Sequence, residues 1–236
     1  GGVLDAKEKG TPGELKMDPA MVRAVCDRAH ELGFPVAAHV ESTEGVRVAL
    51  EGGVDSIEHG AAPTDQIMGL FRQNGSFLCT TISPALPYAL FDRSVSCASE
   101  VEQFNGNMVF EGIIANSKAA LEQGVPVALG NDVGCPWITQ YDFWRELRYF
   151  EKYVGVSRKF ALHTATLKNA QLAGVGDVTG SIEVGKDADM IVVDANPLED
   201  LCALRTVKHV IHRGRLIAKP KIKRKAIVDR ELDKFL

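Results

Sequence analysis

One pattern constrains this chain more than any other. From residue 18 a capped amphipathic helix, a glycine stop and a short apolar run ending in polar residues recur in succession. Asp18 can cap a helix with Pro19 in its first turn, and Val22, Val25, Ala29 and Leu32 form its apolar stripe before Gly33 stops it. The apolar run 34–39 follows directly. Thr43 is read as the cap of a second helix closed by Gly52 and Gly53, with the run 54–59 behind it. Thr64 opens a third helix, with Ile67, Leu70 and Phe71 on one face, ending at Asn74-Gly75 before the run 76–82. A long helix closing near Gln123-Gly124 leads into the run 125–129. This is the grammar of parallel βα units, so the fold class is α/β.

The intervals between these units carry further expectations. Residues 83–98, with Pro84, Pro87, Tyr88 and Phe91, read as a loop at the C-terminal end of a strand, where barrel enzymes place substrate-contacting segments. Two more helices are expected, around 140–153 and 157–173. After Gly174 the pattern changes to short strands joined by glycine turns, over 180–193 and 207–217, which suits a small β domain. The reading therefore divides the chain into a βα portion, 1–176, and a β portion, 177–236. Four βα units cannot close a (β/α)8 barrel, which needs eight strands and about 250 residues. Four parallel strands alone leave edges and an apolar interior to be covered by another segment. The opening Gly1-Gly2-Val3, with no Met, reads as the interior of a longer chain.

Composition excludes several function classes. Lys and Arg number 27 against 31 Asp and Glu, a net charge of −4, which does not provide the basic face a nucleic-acid binder needs. The basic run 219–225 has no interleaved aromatics to stack bases and reads as a solvated tail. No apolar stretch reaches the ~18 to 20 residues of a membrane span, and no signal peptide is evident at the start. The five cysteines, Cys26, Cys79, Cys97, Cys135 and Cys202, lie singly and suit a reducing, cytoplasmic setting.

Three polar residues stand at the ends of three of the four apolar runs: His39, His59 and Asp132. Two imidazoles and a carboxylate suit Zn²⁺ or a similar ion and leave a position open for water. A lone His at a strand end is commonly just hydrogen-bonded, and an Asp after Gly-Asn is commonly turn chemistry. The three at equivalent ends of different units turn the balance toward a metal site. Glu41 and Glu58 flank these residues, and the sequence leaves open whether they orient the imidazoles or are solvated charges. His30, His163, His209 and His212 fall on helices or in the β portion and read as structural or exposed. Cys135 follows the Asp132 loop and lacks a paired base, which makes it a poor nucleophile.

The stretch Val36-Ala37-Ala38-His39, continuing through Thr43-Glu44-Gly45-Val46-Arg47 to Gly53-Val54-Asp55-Ser56-Ile57-Glu58-His59-Gly60, resembles the fifth and sixth barrel strands of the amidohydrolase superfamily. The branch it resembles is the imidazolonepropionase-like and prolidase-like one. Ala128-Leu129-Gly130-Asn131-Asp132 resembles the eighth-strand motif, with Asn131 where Thr is usual. Ala165-Thr166 to Asn169-Ala170 and Gly180-Ser181-Ile182-Glu183-Val184-Gly185-Lys186-Asp187-Ala188-Asp189 resemble the closing helix and C-terminal β segment. The resemblance covers nearly the whole chain.

That resemblance implies the second half of a (β/α)8 barrel, strands 5 to 8, plus the C-terminal strands of a composite β-sandwich. It also implies a binuclear centre of two zinc ions. The family's His-x-His pair and its bridging carboxylated Lys are absent here, and Gly1-Gly2-Val3 resembles the residues that follow that Lys. His39 and His59 would bind the second metal; Asp132 would ligate the first and act as proton shuttle. The reaction implied is attack of metal-bound hydroxide on an amide carbonyl. Expected substrates are dipeptides of Xaa-Pro type or N-acyl amino acids, with Tyr88 a candidate substrate contact. Two alternatives stand beside this: a cyclic-amide hydrolase or deaminase, and a non-catalytic barrel that only binds. The resemblance also implies a homo-oligomer, with an N-terminal half completing the barrel.

Overall fold

The computed structural model describes residues 1–236 and divides into two compact units, Gly1–Gly130 and Asn131–Leu236. In the first, four strands, β1 (Ala37–Val40), β2 (Ser56–His59), β3 (Phe77–Thr80) and β4 (Val127–Leu129), form a parallel sheet in the order β1-β2-β3-β4. Chain order and spatial order coincide, as expected when each strand is followed by a helix that returns the chain to the same end.

The helices arise where capping and periodicity place them. In α1 (Pro19–Glu31), Asp18 accepts from the Met21 N–H at 2.9 Å with Pro19 in the first turn. Helix α2 (Thr43–Gly52) ends on Gly53, whose φ of 96° is left-handed. Its cap is Ser42 and not Thr43. The Ser42 hydroxyl accepts from the Gly45 N–H at 3.1 Å and also donates to the Gly13 carbonyl at 2.7 Å, a double role open to a single hydroxyl. Helix α3 (Asp65–Asn74) is capped by Thr64. The expected loop at 83–98 is instead two short helices, α4 (Ala85–Leu90) and α5 (Arg93–Ser96). Pro84 and Asp92 stand at their starts, positions where each residue favours helix initiation. Helix α6 (Glu100–Glu122) then runs back to β4, opened by a capping box between Ser99 and Glu102.

Strands β2 to β4 are almost wholly buried, the pattern of parallel strands covered on both faces. Ile57, Phe71, Leu78, Ile82 and Ile113 are fully buried in this core, each contributing about 1.5–3 kcal/mol. Strand β1 differs: it has a neighbour on one side only, and Ala37 and His39 are exposed. An apolar cavity of about 270 Å³ runs beside it, lined in part by Met17, Val22, Val25 and Ala37.

The second unit contains α7 (Phe143–Tyr149), which continues as π-helical turns over Phe150–Val154, then α8 (Arg158–His163) and α9 (Asn169–Leu172). Beyond them β5 (Met190–Val193), β6 (Val207–His212) and β7 (Arg215–Ala218) form an antiparallel meander. Arg213 and Gly214 join β6 to β7 with positive φ at both positions, the requirement of a type I′ hairpin turn. The chain closes with α10 (Ala226–Leu232). No helix is long and apolar enough to cross a membrane.

Candidate metal centre

Parallel pairing places His39 and His59 at the same end of the sheet. In register His39 lies opposite Glu58, and Val40 opposite His59. The two imidazoles meet edge to face with ring centroids 4.8 Å apart. Ligand atoms of His39, His59 and Glu41 all lie within 4.8 Å of one another. Neutral nitrogen donors with one carboxylate fit a divalent ion such as zinc, so the residues present suit the group their pattern implies.

The backbone around the pair is specialised. His59 has φ of 68° and is followed by Gly60 with φ of 83°. Two successive left-handed residues turn the chain sharply off the strand end, and the Gly60 N–H donates to the Val40 carbonyl at 3.1 Å. For a non-glycine residue the left-handed region is uncommon, and strain of this kind clusters at functional sites. Beneath the turn, Asn116 on α6 is fully buried, and a β-carbon at position 60 would lie 2.4 Å from its amide nitrogen. Neither polar atom of the Asn116 side chain is hydrogen-bonded.

Glu41, just past β1, accepts from the Val3 N–H at 2.6 Å. The N-terminal segment is thereby tied to the end of β1. Gly13, with φ of 76°, adds a second tie, since a β-carbon there would sit 2.6 Å from the Glu41 carbonyl carbon. Asn105, buried on α6, holds the same segment through the Gly10 N–H at 2.7 Å and the Glu8 carbonyl at 2.8 Å. Glu58 is engaged by the Ser56 hydroxyl at 2.7 Å.

Asp132 belongs to the second unit, exposed and with φ of 54°. The Cys135 thiol donates to its Oδ2 at 3.1 Å, and the Cys135 N–H donates to its carbonyl at 3.2 Å. The thiol thus holds the carboxylate. Tyr88 lies half-buried on α4, its β-carbon against Gly106 of α6. His30, away from the pair, binds the Asp55 carboxylate at 2.8 Å, and His212 binds Asp189 at 2.9 Å.

The sequence names Glu41 beside the imidazoles and leaves its role open; the alternation of a strand places it on one side with His39. Asn116 was hidden because it lies among apolar residues of the buried helix face (Val109, Ile113, Ala120) with no motif around it.

An α/β unit with a parallel sheet thus carries a cluster of imidazole and carboxylate donors, a candidate metal site, at one end of its strands. Residues 7–217 match the model of the amidohydrolase family, and the chain belongs to that family. It is 41% identical to a solved structure described as a candidate prolidase from Bifidobacterium longum, with a TM-score of 0.93, covering 99% of this chain and 57% of that one. A Xaa-Pro dipeptidase solved with methionine in its active site is 32% identical with a TM-score of 0.79, covering 88% of this chain and 50% of that one. The ochratoxinase of Aspergillus niger is 26% identical over 228 residues, 94% of this chain and 45% of that protein. The chain thus spans about half the length of the relatives it matches.

Proposed function

We propose that this chain is the second half of a (β/α)8 amidohydrolase that cleaves an amide bond in a dipeptide of Xaa-Pro type or an N-acyl amino acid. The observation that carries the reading is the convergence of His39, His59 and a carboxylate within 4.8 Å at the ends of adjacent parallel strands. In this reading residues 1–176 supply barrel strands 5 to 8 and residues 177–236 part of a β-sandwich. The one-sided strand β1 and the apolar cavity beside it support that assignment, because an edge strand flanked by apolar surface is a place for a further strand. Likeness to the dipeptidase and the candidate prolidase supports the substrate class.

His39 and His59 would hold a divalent ion, and Asp132 would share in a second. Such an ion, when bound, activates water and polarises the substrate carbonyl. Asp132 takes a proton from the attacking water and returns it to the leaving nitrogen, so that the amine departs neutral. Cys135, donating to Oδ2 of Asp132, fixes the carboxylate's orientation.

The test is a panel of Xaa-Pro dipeptides, N-acyl amino acids and cyclic imides, assayed on the protein carrying its own upstream segment. Chelator-sensitive cleavage of the first two classes is expected. Turnover confined to the cyclic imides contradicts the reading.

A further inference from the structure

We infer that Asp142, held by Thr139 and Arg145, is a positioning residue for Asp132, fixing through a run of closed turns the carboxylate that carries the proton. The inference rests on the role proposed above for Asp132 and lies wholly within the second unit. Asp132 is exposed and is followed by Val133 and Gly134, also exposed, so packing does not fix this stretch. Hydrogen bonds at three-residue intervals do. The Cys135 N–H donates to the Asp132 carbonyl at 3.2 Å, and the Ile138 N–H to the Cys135 carbonyl at 3.0 Å. The Asp142 N–H donates to the Thr139 carbonyl at 3.1 Å, and the Arg145 N–H to the Asp142 carbonyl at 2.8 Å. Consecutive turns share Cys135 and Asp142, and one peptide joins Ile138 to Thr139. The path from Asp132 to α7 therefore has no open stretch.

The foot of this path, Ile138, Thr139, Asp142 and Arg145, is buried. Asp142 directly precedes α7, yet its side chain caps no N–H of that helix, the usual use of an aspartate at such a position. Its two oxygens are committed elsewhere. Oδ2 accepts from the Thr139 hydroxyl at 2.8 Å, and Oδ1 from the Arg145 Nε at 3.2 Å. The Arg145 guanidinium reaches on to Asp233, 2.7 Å away just past α10, which anchors the foot to the C-terminal helix. At the exposed end the thiol of Cys135, itself part of the run of turns, donates to Oδ2 of Asp132 at 3.1 Å. A group that hands over a proton must be held within about 0.5 Å of its productive position. An exposed carboxylate meets that demand only on a rigid support, and the Thr139–Asp142–Arg145 cluster supplies one.

Asp142→Asn would leave the buried Arg145 short of a partner and disturb folding, so the test falls on Thr139. It is steady-state hydrolysis of an Xaa-Pro dipeptide, with metal content measured in the same samples, by the protein carrying its upstream segment and by its T139V, T139S and D132N variants. Valine keeps the shape of threonine without the hydroxyl, whereas serine keeps the hydroxyl without the methyl. Far-ultraviolet circular dichroism verifies that each variant is folded. T139V is expected to lower kcat by about tenfold, the loss typical when an outer partner is removed, with KM and bound metal unchanged. T139S should recover most of that loss. Wild-type kcat in T139V, T139S as impaired as T139V, or a loss that falls on KM or on metal content overturns the positioning role. Wild-type activity in D132N, or no hydrolysis by the wild type, overturns the proposed function and this inference with it.

Discussion

Gly60 and Asn116 are packed so closely that a β-carbon added to Gly60 would lie 2.4 Å from the Asn116 amide nitrogen. This contact sets the turn that follows His59. Gly60→Ala meets both the contact and a φ of 83°, so it is expected to cost about 1–3 kcal/mol. Thermal unfolding should register the loss as about 2–4 °C per kcal/mol, and divalent-ion affinity should fall with it. A Tm and an affinity equal to wild type would show that the turn tolerates a side chain.

Ser42 joins two segments through one hydroxyl, capping α2 and binding the Gly13 carbonyl. Ser42→Ala should destabilise by about 1 kcal/mol from the lost cap, with a further contribution from the freed Gly13 carbonyl. Limited proteolysis is expected to cut the segment 1–17 faster in this variant. Equal cleavage rates would place the anchoring of that segment elsewhere.

In the second unit Arg145, only 1% exposed, lies 2.7 Å from Asp233, bonds Asp142 at 3.2 Å and lies over the Trp144 ring at 4.6 Å. Arg145→Ala leaves Asp142 buried without its cation, and denaturant unfolding should show a loss of about 3–5 kcal/mol. A loss below 1 kcal/mol would mean that solvent reaches the site.

The same network sets a pH dependence. Burial pushes the Asp233 carboxyl up, but hydrogen bonds from Arg145 and Arg205 outweigh it and hold the group below the ordinary carboxylate range. A carboxyl lowered in the folded state contributes stability that is present above its unfolded value, about 3.9, and is lost as pH falls through the lowered one. Asp233→Asn should therefore flatten the acid limb of the stability profile while lowering stability near neutrality. An acid limb identical to wild type would remove Asp233 from the linkage.

The sequence made the repeating βα units legible because caps, glycine stops and apolar runs are local signals. Asp18, Thr64 and Gly53 act where those signals placed them. The helical character of 85–96 was not legible, since Pro84 and Pro87 read as loop punctuation although proline is accepted in a first helical turn. His39 and His59 were recognisable from their positions at strand ends. Glu41 was visible beside them but its role was not, because its bond to Val3 is a relationship that a linear pattern does not display. Cys135 was set aside as a nucleophile, and its thiol serves Asp132 as a hydrogen-bond donor instead.

The reading of Asp132 as a proton carrier gives a separable expectation. Asp132→Asn should lower kcat by about 10²- to 10⁴-fold while ion binding at His39 and His59 persists. Cys135→Ser keeps a donor for the carboxylate and should retain more activity than Cys135→Ala. Equal losses in the two cysteine variants would assign the thiol a packing role.

The most direct measurement is the divalent-metal content of the protein with its upstream segment, determined by elemental analysis for wild type and an H39A/H59A double variant, with dipeptide hydrolysis followed in the same samples. At least one bound ion per wild-type chain is expected, with loss of metal and of hydrolysis together in the double variant and on chelation. Hydrolysis that continues undiminished with less than one ion per chain would contradict the account.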